Sequence, residues 1–377
     1  MKRKKILFVI NNLSGGGAEK ILIDTICQLN KQGYLIDICT LFNDGIYDDQ
    51  VKNYVRNYYS MFDIVKYSSK IQKFMKSLLL RKIKYTKNFN VNFLNEKYDF
   101  EVAFLEGPAT KFVASRNNDA IKYAWVHVDP IVLPYSTKYF KNINEEIFLY
   151  KKFDKILCVS TDVKNSFMKK FKIKENVFVQ INLLNNKKVE EKAKYSIETN
   201  FIDSNKFTIV SVGRLMKQKS YLRLLMAFKN LKKKFPLIQL IIIGEGNERK
   251  LLEDFIKKES LQDSVCLYGF CDNPYAILKQ CDLFVCSSLT EGFSTVICEA
   301  IILGLPILTT DCAGMRDILG ENEYGEIVEN STMGLYNGLC KILMNKNYYE
   351  HLKEISIKRK SYFDMANRIK EIEKLFN

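Results

Sequence analysis

The sequence predicts an α/β protein built from two successive, doubly wound parallel-sheet domains. Three observations carry this. The chain opens as a short apolar run, a glycine turn, an amphipathic stretch and a second apolar run, the strand–helix–strand order from which parallel sheets are made. A second series of the same kind starts at Phe207. Between the two, residues 182–205 are polar, charged and without a strong hydrophobic period, the composition of a linker region. A chain of 377 residues has room for two domains of ordinary size.

Taken in order, residues 4–10 predict a strand, 15–17 a turn, 18–29 an amphipathic helix and 34–41 a second strand. Residues 100–105, 123–127, 155–160 and 177–181 continue the first series of strands. The second series comprises 207–212, 239–243, 264–268, 283–286 and 306–309. Near the end, Phe363, Met365, Ile369, Ile372 and Leu375 recur at roughly helical spacing. One large sheet is the alternative arrangement; the composition of the linker argues against it. No internal repeat or long low-complexity segment is visible.

Residues 67–85 stand apart. Ile71, Phe74, Met75, Leu78 and Leu79 share one helical face, flanked by Lys70, Lys73, Lys76, Arg81, Lys82 and Lys84. An apolar stripe with a basic flank suits an interfacial membrane helix. A surface helix laying that stripe on the sheet would have the same pattern.

The chain carries 58 basic against 43 acidic residues, a net charge of +15. That field favours anionic partners: nucleic acid, anionic lipid or phosphorylated substrates. No nucleic-acid recognition motif accompanies the charge, so nucleic-acid binding is not expected. The basic start, residues 1–5, is followed by only a short apolar run and no small-residue cleavage site, so a first strand is read there and not a signal peptide. No apolar run approaches the ~18–20 residues of a membrane span. The ten cysteines show no C-x-x-C pair, and the only histidines are His127 and His351. Cys158, Cys281, Cys286 and Cys298 fall in apolar text and read as buried free thiols of a reducing cytoplasm, not as disulfides or zinc ligands.

The chemistry centres on the run Glu291-Gly-Phe-Ser-Thr-Val-Ile-Cys-Glu299. Its first carboxylate ends a loop and its second lies inside an apolar helix. The residues between them sit at a helix N-terminus, where free N–H groups and the dipole favour an anion. A ligand with phosphate in the middle and hydroxyls at both ends fits such a site, and a nucleotide-sugar has that form. Glu299, set among Val296, Ile297, Ala300 and Ile301, needs a polar partner, and ribose hydroxyls would supply one. In Val212-Gly-Arg-Leu-Met-Lys-Gln-Lys219, Arg214 offers a planar fork to phosphate oxygens and Lys219 a point charge. Both follow a strand, at the sheet edge where α/β proteins bind ligands. Cations at a helix start oppose the dipole, which favours a bound anion over two plain surface charges. Gly15, Gly16 and Gly17 permit close backbone approach. They do not form G-x-G-x-x-G, and no acid closes the second strand, so a dinucleotide site is weakly supported and a bare turn is the alternative.

The spacing of Glu291 and Glu299 resembles the E-x7-E motif of retaining glycosyltransferases of family 4, the glycosyl transferases of group 1. Residues 212–219 are similar to that family's G-R-x(4)-K segment, with Ser220 where the family usually has Gly. Ile243-Gly-Glu-Gly246, Tyr268-Gly-Phe270 and Asn12-Leu-Ser-Gly-Gly-Gly-Ala-Glu19 resemble three further loops, in the family's order. The likeness extends to bacterial capsule, O-antigen and exopolysaccharide enzymes. It implies the GT-B fold: two Rossmann-like, doubly wound domains facing across a cleft. Residues 1–184 would bind the acceptor, 185–359 the nucleotide-sugar donor, and the helix within 360–377 would pack back on the first domain.

The same resemblance implies a catalytic set of His127, Glu291, Arg214 and Lys219. Glu291 would contact the sugar hydroxyls and Glu299 the ribose. Gly292, Phe293, Ser294 and Thr295 would meet sugar and phosphate, chiefly through backbone amides. Arg214 and Lys219, beside Gly213, would stabilise the leaving diphosphate. Residues Gly15, Gly16 and Gly17 would face the diphosphate and acceptor, and Gly244, Gly269 and Phe270 the base. His127 would lie near the anomeric carbon and the sugar 6-hydroxyl. Asp129 would position acceptor or His127, and Glu106 is a nearby acid with no assigned role. No metal or other cofactor is obligatory, since Arg and Lys take a metal's place; Asp48-Asp49 lies in a loop without the context of a metal-binding pair. The implied reaction moves a hexose or N-acetylhexosamine from a UDP-sugar to a growing, lipid-linked surface glycan, at the inner face of the cell membrane. The alternatives are a non-catalytic partner subunit of this fold, or an epimerase or phosphorylase built on it.

Overall fold

The structure is a computed structural model that describes residues 3–65, 69–86, 89, 94, 96–195, 197 and 201–377. The chain divides into two compact units, Met1–Leu183 with Ala366–Asn377, and Leu184–Met365.

The first unit runs β1 (Lys5–Ile10), α1 (Gly17–Lys31), β2 (Leu35–Phe42), α2 (Asp48–Lys52), β3 (Asn57–Phe62), α3 (Ser69–Tyr85), β4 (Phe100–Ala103), α4 (Pro108–Ser115), β5 (Ile121–Val126), α5 (Ile143–Tyr150), β6 (Lys155–Cys158), α6 (Thr161–Phe171) and β7 (Val177–Val179). Its seven strands lie in the order β3-β2-β1-β4-β5-β6-β7, and every neighbouring pair is parallel. β1 has five consecutive buried residues, Ile6 to Ile10. That is the signature of a strand covered on both faces.

The second unit runs α7 (Asn186–Lys192), β8 (Phe207–Val212), α8 (Tyr221–Lys234), β9 (Ile238–Ile243), α9 (Arg249–Lys258), β10 (Val265–Gly269), α10 (Pro274–Leu278), β11 (Leu283–Cys286), α11 (Thr295–Ile302), β12 (Ile307–Thr310), α12 (Met315–Leu319), β13 (Glu326–Val328), α13 (Thr332–Met344) and α14 (Lys346–Arg359). Six parallel strands take the order β10-β9-β8-β11-β12-β13. α8 shows how the helices attach. Tyr221, Leu224, Leu225, Phe228 and Leu231 are buried in the core with β8 and β9. Each such side chain contributes about 1.5–3 kcal/mol by leaving water. The last helix, α15 (Met365–Glu373), carries the chain into the first unit. There Phe376 is fully buried, ringed by Phe8, Tyr34, Phe100 and Tyr123 with centroids 5.1–6.3 Å away.

The strand order reverses beside β1 in the first unit and beside β8 in the second. The loops leaving β1 and β4, and those leaving β8 and β11, therefore open at topological switch points, where sheets of this kind bind ligands.

Four features differ from the sequence expectations. β3 and β13 were not anticipated. β3 is an edge strand of half-buried residues only, and β13 has three residues. The expected linker contains a helix, α7, which packs on α10 and α11 and belongs to the second unit; linker residues 196 and 198–200 lie outside the described residues. Asp48 and Asp49 form the first turn of α2 and not a loop, since acids suit a helix N-terminus. Cys281 is only half-buried, unlike Cys158, Cys286 and Cys298, because it precedes β11 instead of lying within it.

In α3, Tyr67 and Ser68 of the basic segment lie outside the described residues. The stripe does not pack as a whole. Ile83 is buried, with Leu79 and Leu80 against Leu41, Phe42 and Ile64. Ile71, Phe74 and Leu78 remain 49%, 63% and 43% exposed, beside exposed Lys70, Lys73, Arg81 and Lys82. No helix of the described residues is long and apolar enough to cross a membrane.

Candidate active site

In the second unit, the loops after β8 and β11 meet. Lys219, in a single 3-10 turn before α8, points its Nζ at Glu291 Oε1 from 2.6 Å; their side chains are 19% and 10% exposed. Ser288 Oγ donates to the same oxygen at 2.5 Å. Burial opposes the Lys219 ammonium, but the Glu291 carboxylate, with Cys286 and Tyr221, overrides it and holds the pKa above the usual lysine value. A buried ion pair adds little to stability, because desolvation consumes most of its attraction. It does supply a fixed charge at a defined place. Arg214 is exposed and makes no hydrogen bond or ion pair among the described residues.

Ser220 has φ +53 and ψ +40, a left-handed conformation that favours glycine. Its Oγ accepts from Arg223 Nε at 2.8 Å, which offsets part of the strain. Gly244 explains itself by packing: a Cβ there would stand 2.1 Å from the Gly213 carbonyl oxygen, so the end of β9 presses directly on the loop that carries Arg214.

The run from Glu291 enters α11 as the sequence predicts. Its N-cap, Ser294, makes no side-chain cap and no acid occupies the first turn. The Ser294 hydroxyl is buried without a partner. α5, α6, α13 and α14 are instead capped by Asn or Ser side chains. The first amides of α11 are thus left for an anion. Phe293 is buried, so only its backbone is offered. Thr295 is half-buried. Glu299 lies one turn into α11, 4% exposed. It already has one partner within the protein, which the apolar text had not shown. Tyr275 on α10 donates to Glu299 Oε1 at 3.0 Å, because α10 packs against α11. Phe270 is 67% exposed after β10, and Gly269 closes that strand, bonded to the Gly244 amide.

In the first unit, His127 follows β5. It is 91% buried, being 9% exposed, and Nε2 has no partner among the described residues. Burial pushes its pKa down to about 3, against a hydrogen bond to the Phe104 carbonyl. The ring is therefore neutral, with Nε2 a bare acceptor. Glu106, after β4, accepts the amides of His127 and Val128 through Oε1, at 2.5 and 2.9 Å, and the Tyr135 hydroxyl through Oε2 at 2.9 Å. Burial raises the Glu106 pKa despite these bonds. Asp129 spends its oxygens on its own loop and α6: Oδ1 accepts from Ile131 and Val132, Oδ2 from Ser166. Of Gly15, Gly16 and Gly17, the last of which opens α1, only Gly15 has a left-handed φ, +98; a Cβ on Gly16 would meet the Glu19 carboxylate 2.2 Å away. The start of α1 thus already holds an acid, which does not suit a second anion.

Sequence reading missed Glu106's hold on His127, Ser288 and Tyr275. The two hydroxyls had no motif to mark them. Glu106 had one available signal, an acid directly after a buried apolar strand. Among the described residues no group of three or more His, Cys, Asp or Glu is placed to hold a metal ion.

Comparison with known proteins now bears on this geometry. Residues 193–359 match the family described as glycosyl transferases group 1, the span that contains Arg214, Lys219, Glu291 and Glu299. Residues 193–359 thus carry the glycosyl transferases group 1 family. The chain is 31% identical to an uncharacterized glycosyltransferase of Methanocaldococcus jannaschii over 65% of its own length and 59% of the relative's. It is 34% identical to the N-acetylgalactosamine-N,N'-diacetylbacillosaminyl-diphospho-undecaprenol 4-alpha-N-acetylgalactosaminyltransferase of Campylobacter jejuni, over 41% of this chain and 42% of that one. The match thus spans about three fifths and two fifths of these relatives. Among solved structures, Anabaena HepE in complex with UDP and glucose superposes with a TM-score of 0.75 at 18% identity, covering 99% of both chains. The fold is accordingly GT-B, two Rossmann-like units with parallel sheets.

Proposed function

We propose that the protein is a retaining glycosyltransferase that moves a hexose or N-acetylhexosamine from a UDP-sugar to a lipid-linked bacterial surface glycan. One observation carries the reading: Lys219 and Glu291 meet at the open N-terminus of α11, with the buried Glu299 one turn further in. The uncapped amides and Lys219 suit a diphosphate, and Arg214 adds a second, unspent cation. Charge building on the leaving diphosphate is stabilised where these donors converge. Glu291 is tied through Oε1, which leaves Oε2 to accept a sugar hydroxyl. Glu299, oriented by Tyr275, accepts from the ribose.

The first unit contributes His127. In this reading its bare Nε2 is the group assigned to a sugar hydroxyl, on a backbone whose amide Glu106 holds. Retention follows from attack on the face the diphosphate leaves, with a phosphate oxygen taking the acceptor's proton. This needs no protein nucleophile and no metal.

UDP is the nucleotide bound to the structurally similar HepE, and the Campylobacter relative is named for an undecaprenol-linked acceptor. The exposed apolar row of α3 with its lysines supports an acceptor held at an anionic membrane. Residues 1–184 in this reading serve the acceptor and 185–359 the donor.

The test is donor binding and hydrolysis across UDP-, GDP- and ADP-sugars, with Glu291→Ala and Arg214→Ala alongside. One donor should be turned over by wild type, with each variant lowering the rate by about 100-fold or more, the scale of a lost charge-stabilising contact. No binding to any donor overturns the reading in favour of a partner subunit.

A further inference from the structure

The segment that leads from β11 to Glu291 is fastened in an unusual way. Four consecutive carbonyls, those of Ser287, Ser288, Leu289 and Thr290, each accept from a side chain on a different element. The donors are Arg223 Nη2 at 3.0 Å, Thr310 Oγ1 at 2.6 Å, Asn330 Nδ2 at 3.1 Å and Gln218 Nε2 at 2.8 Å. The Leu289 amide returns a bond to the Gln218 carbonyl at 2.8 Å, and Ser287 Oγ donates to the Lys219 carbonyl at 2.8 Å.

Arg223 and Asn330 are the hubs. Arg223, on α8, also donates to Ser220 Oγ, the Asn330 carbonyl and Asn330 Oδ1, at 2.8, 2.8 and 2.7 Å. Asn330, between β13 and α13, reaches the Asp311 carbonyl at 3.0 Å as well. Ser287 and Ser288 are buried, so their carbonyls require protein donors. Leu289 is 41% exposed, and a loop carbonyl there is normally left to water; side chains hold that position and Thr290 too, and the segment so held ends on Glu291. The same bonds stitch residues 218–220 to 287–291, so Lys219 and Glu291 are carried by one rigid piece.

We propose that Asn330 and Arg223 are positioning residues for the donor sugar, acting through Glu291. This rests on the donor site proposed above and deepens it. The clamp grips the segment that presents Glu291, and it touches neither the first turn of α11 nor Glu299. On this segment Asn330 holds only the Leu289 carbonyl, and the Gln218 and Ser287 bonds that fix Lys219 stay when it is removed, so its loss affects recognition of the sugar through Glu291 and leaves recognition of the nucleotide intact. A structural role alone would affect both or neither.

Three readouts test this with the full chain. The variants are Asn330→Ala and, should that fail to fold, Asn330→Asp, which keeps the size and the acceptor for Arg223 but removes the donor to the Leu289 and Asp311 carbonyls. The first readout is hydrogen exchange: the amides of 287–291 should exchange faster in the variant while those of β8 and β11 keep their wild-type rates. The second is the split between UDP and UDP-sugar, using UDP-glucose, UDP-galactose and their two N-acetylhexosamine counterparts. UDP affinity should stay within about twofold, while turnover of the accepted UDP-sugar drops at least ~10-fold, as expected for a misplaced contact. The third is non-additivity: adding Asn330→Ala to Glu291→Ala should cost no more than about twofold further, since one acts through the other. Equal losses in UDP and UDP-sugar binding, unchanged exchange, or full additivity would overturn the positioning role. A wild type that binds none of the four UDP-sugars overturns the donor reading and this role with it. That outcome is distinct from the failure of the clamp alone, in which wild type turns a donor over and Asn330→Ala does so equally well.

Discussion

At the scale of single residues, His127 makes the sharpest case for a group held in an unnatural state for a reason. Its folded pKa of about 3 lies well below the ~6.5 of a solvated histidine. Between those values the unfolded chain takes up a proton that the folded chain refuses. The stability His127 permits is therefore complete above pH 6.5 and falls as the pH drops toward 3. From pH 7 to pH 5 this one group costs about 2 kcal/mol. Replacing it by Gln removes the titration. Urea unfolding at the two pH values should thus show wild type losing about 2 kcal/mol more than His127→Gln, on the same linkage argument. The exposed His351 is common to both proteins and cancels. Equal losses would mean that the ring is not sequestered as the structure has it. In the proposed reaction the same burial gives His127 a neutral ring whose bare Nε2 would accept a hydroxyl and transfer no proton. Activity should then show no dependence with a histidine-like midpoint.

At the scale of elements, α3 separates two faces that the sequence had run together. Leu79, Leu80 and Ile83 attach the helix to its unit, while Ile71, Phe74 and Leu78 are left in water with four exposed cations nearby. Moving a phenylalanine out of water contributes about 1.5–3 kcal/mol, so Phe74→Ser should weaken sedimentation with phosphatidylglycerol vesicles about tenfold or more. Its melting temperature should be nearly unchanged, since the residue is 63% exposed and folding covers little of the ring. Raised salt should weaken binding too. Equal binding by variant and wild type, or equal binding to neutral vesicles, would remove the membrane from the proposal. The same contrast explains what the sequence made legible. β8 and β11 were read with their observed limits because strands buried on both faces are plain apolar runs. β3 and β13 were not, one being an edge strand with no fully buried residue and the other too short to show a period. α7 was hidden because Val189 is its only buried side chain. In the candidate site, the segments that bring Lys219 to Glu291 and set Glu299 in α11 were legible, because their spacing along the chain places them at strand ends and a helix start. Arg223, Asn330 and Thr310 were not. They act on backbone carbonyls contributed by distant segments, and no local pattern encodes such a partner.

At the scale of the whole molecule, the first unit is assembled from both ends of the chain, and the second is one continuous stretch. The core of the first unit therefore lacks a piece until the final residues arrive. Phe376 fills it, fully buried among four aromatic rings, and its backbone is gripped as well. Lys4 Nζ donates to the carbonyls of Phe376 and Asn377 at 2.7 and 3.0 Å, and the Tyr123 hydroxyl to that of Leu375 at 2.5 Å. Phe376→Ala should cost about 3–5 kcal/mol, the range for a large aromatic removed from a packed core. The loss should be confined to one unit, because each has its own sheet and core. Hydrogen exchange is the measurement that separates the cases. The amides of β1, β2, β4 and β5 should exchange faster in the variant, and those of β8, β9, β11 and β12 should keep their wild-type rates. UDP binding, which the proposal assigns to the second unit alone, should survive the same substitution even as transfer to an acceptor is lost. Were both sheets to exchange faster together, the two units would unfold as one, and the donor site would depend on the last residues of the chain as much as the first unit does.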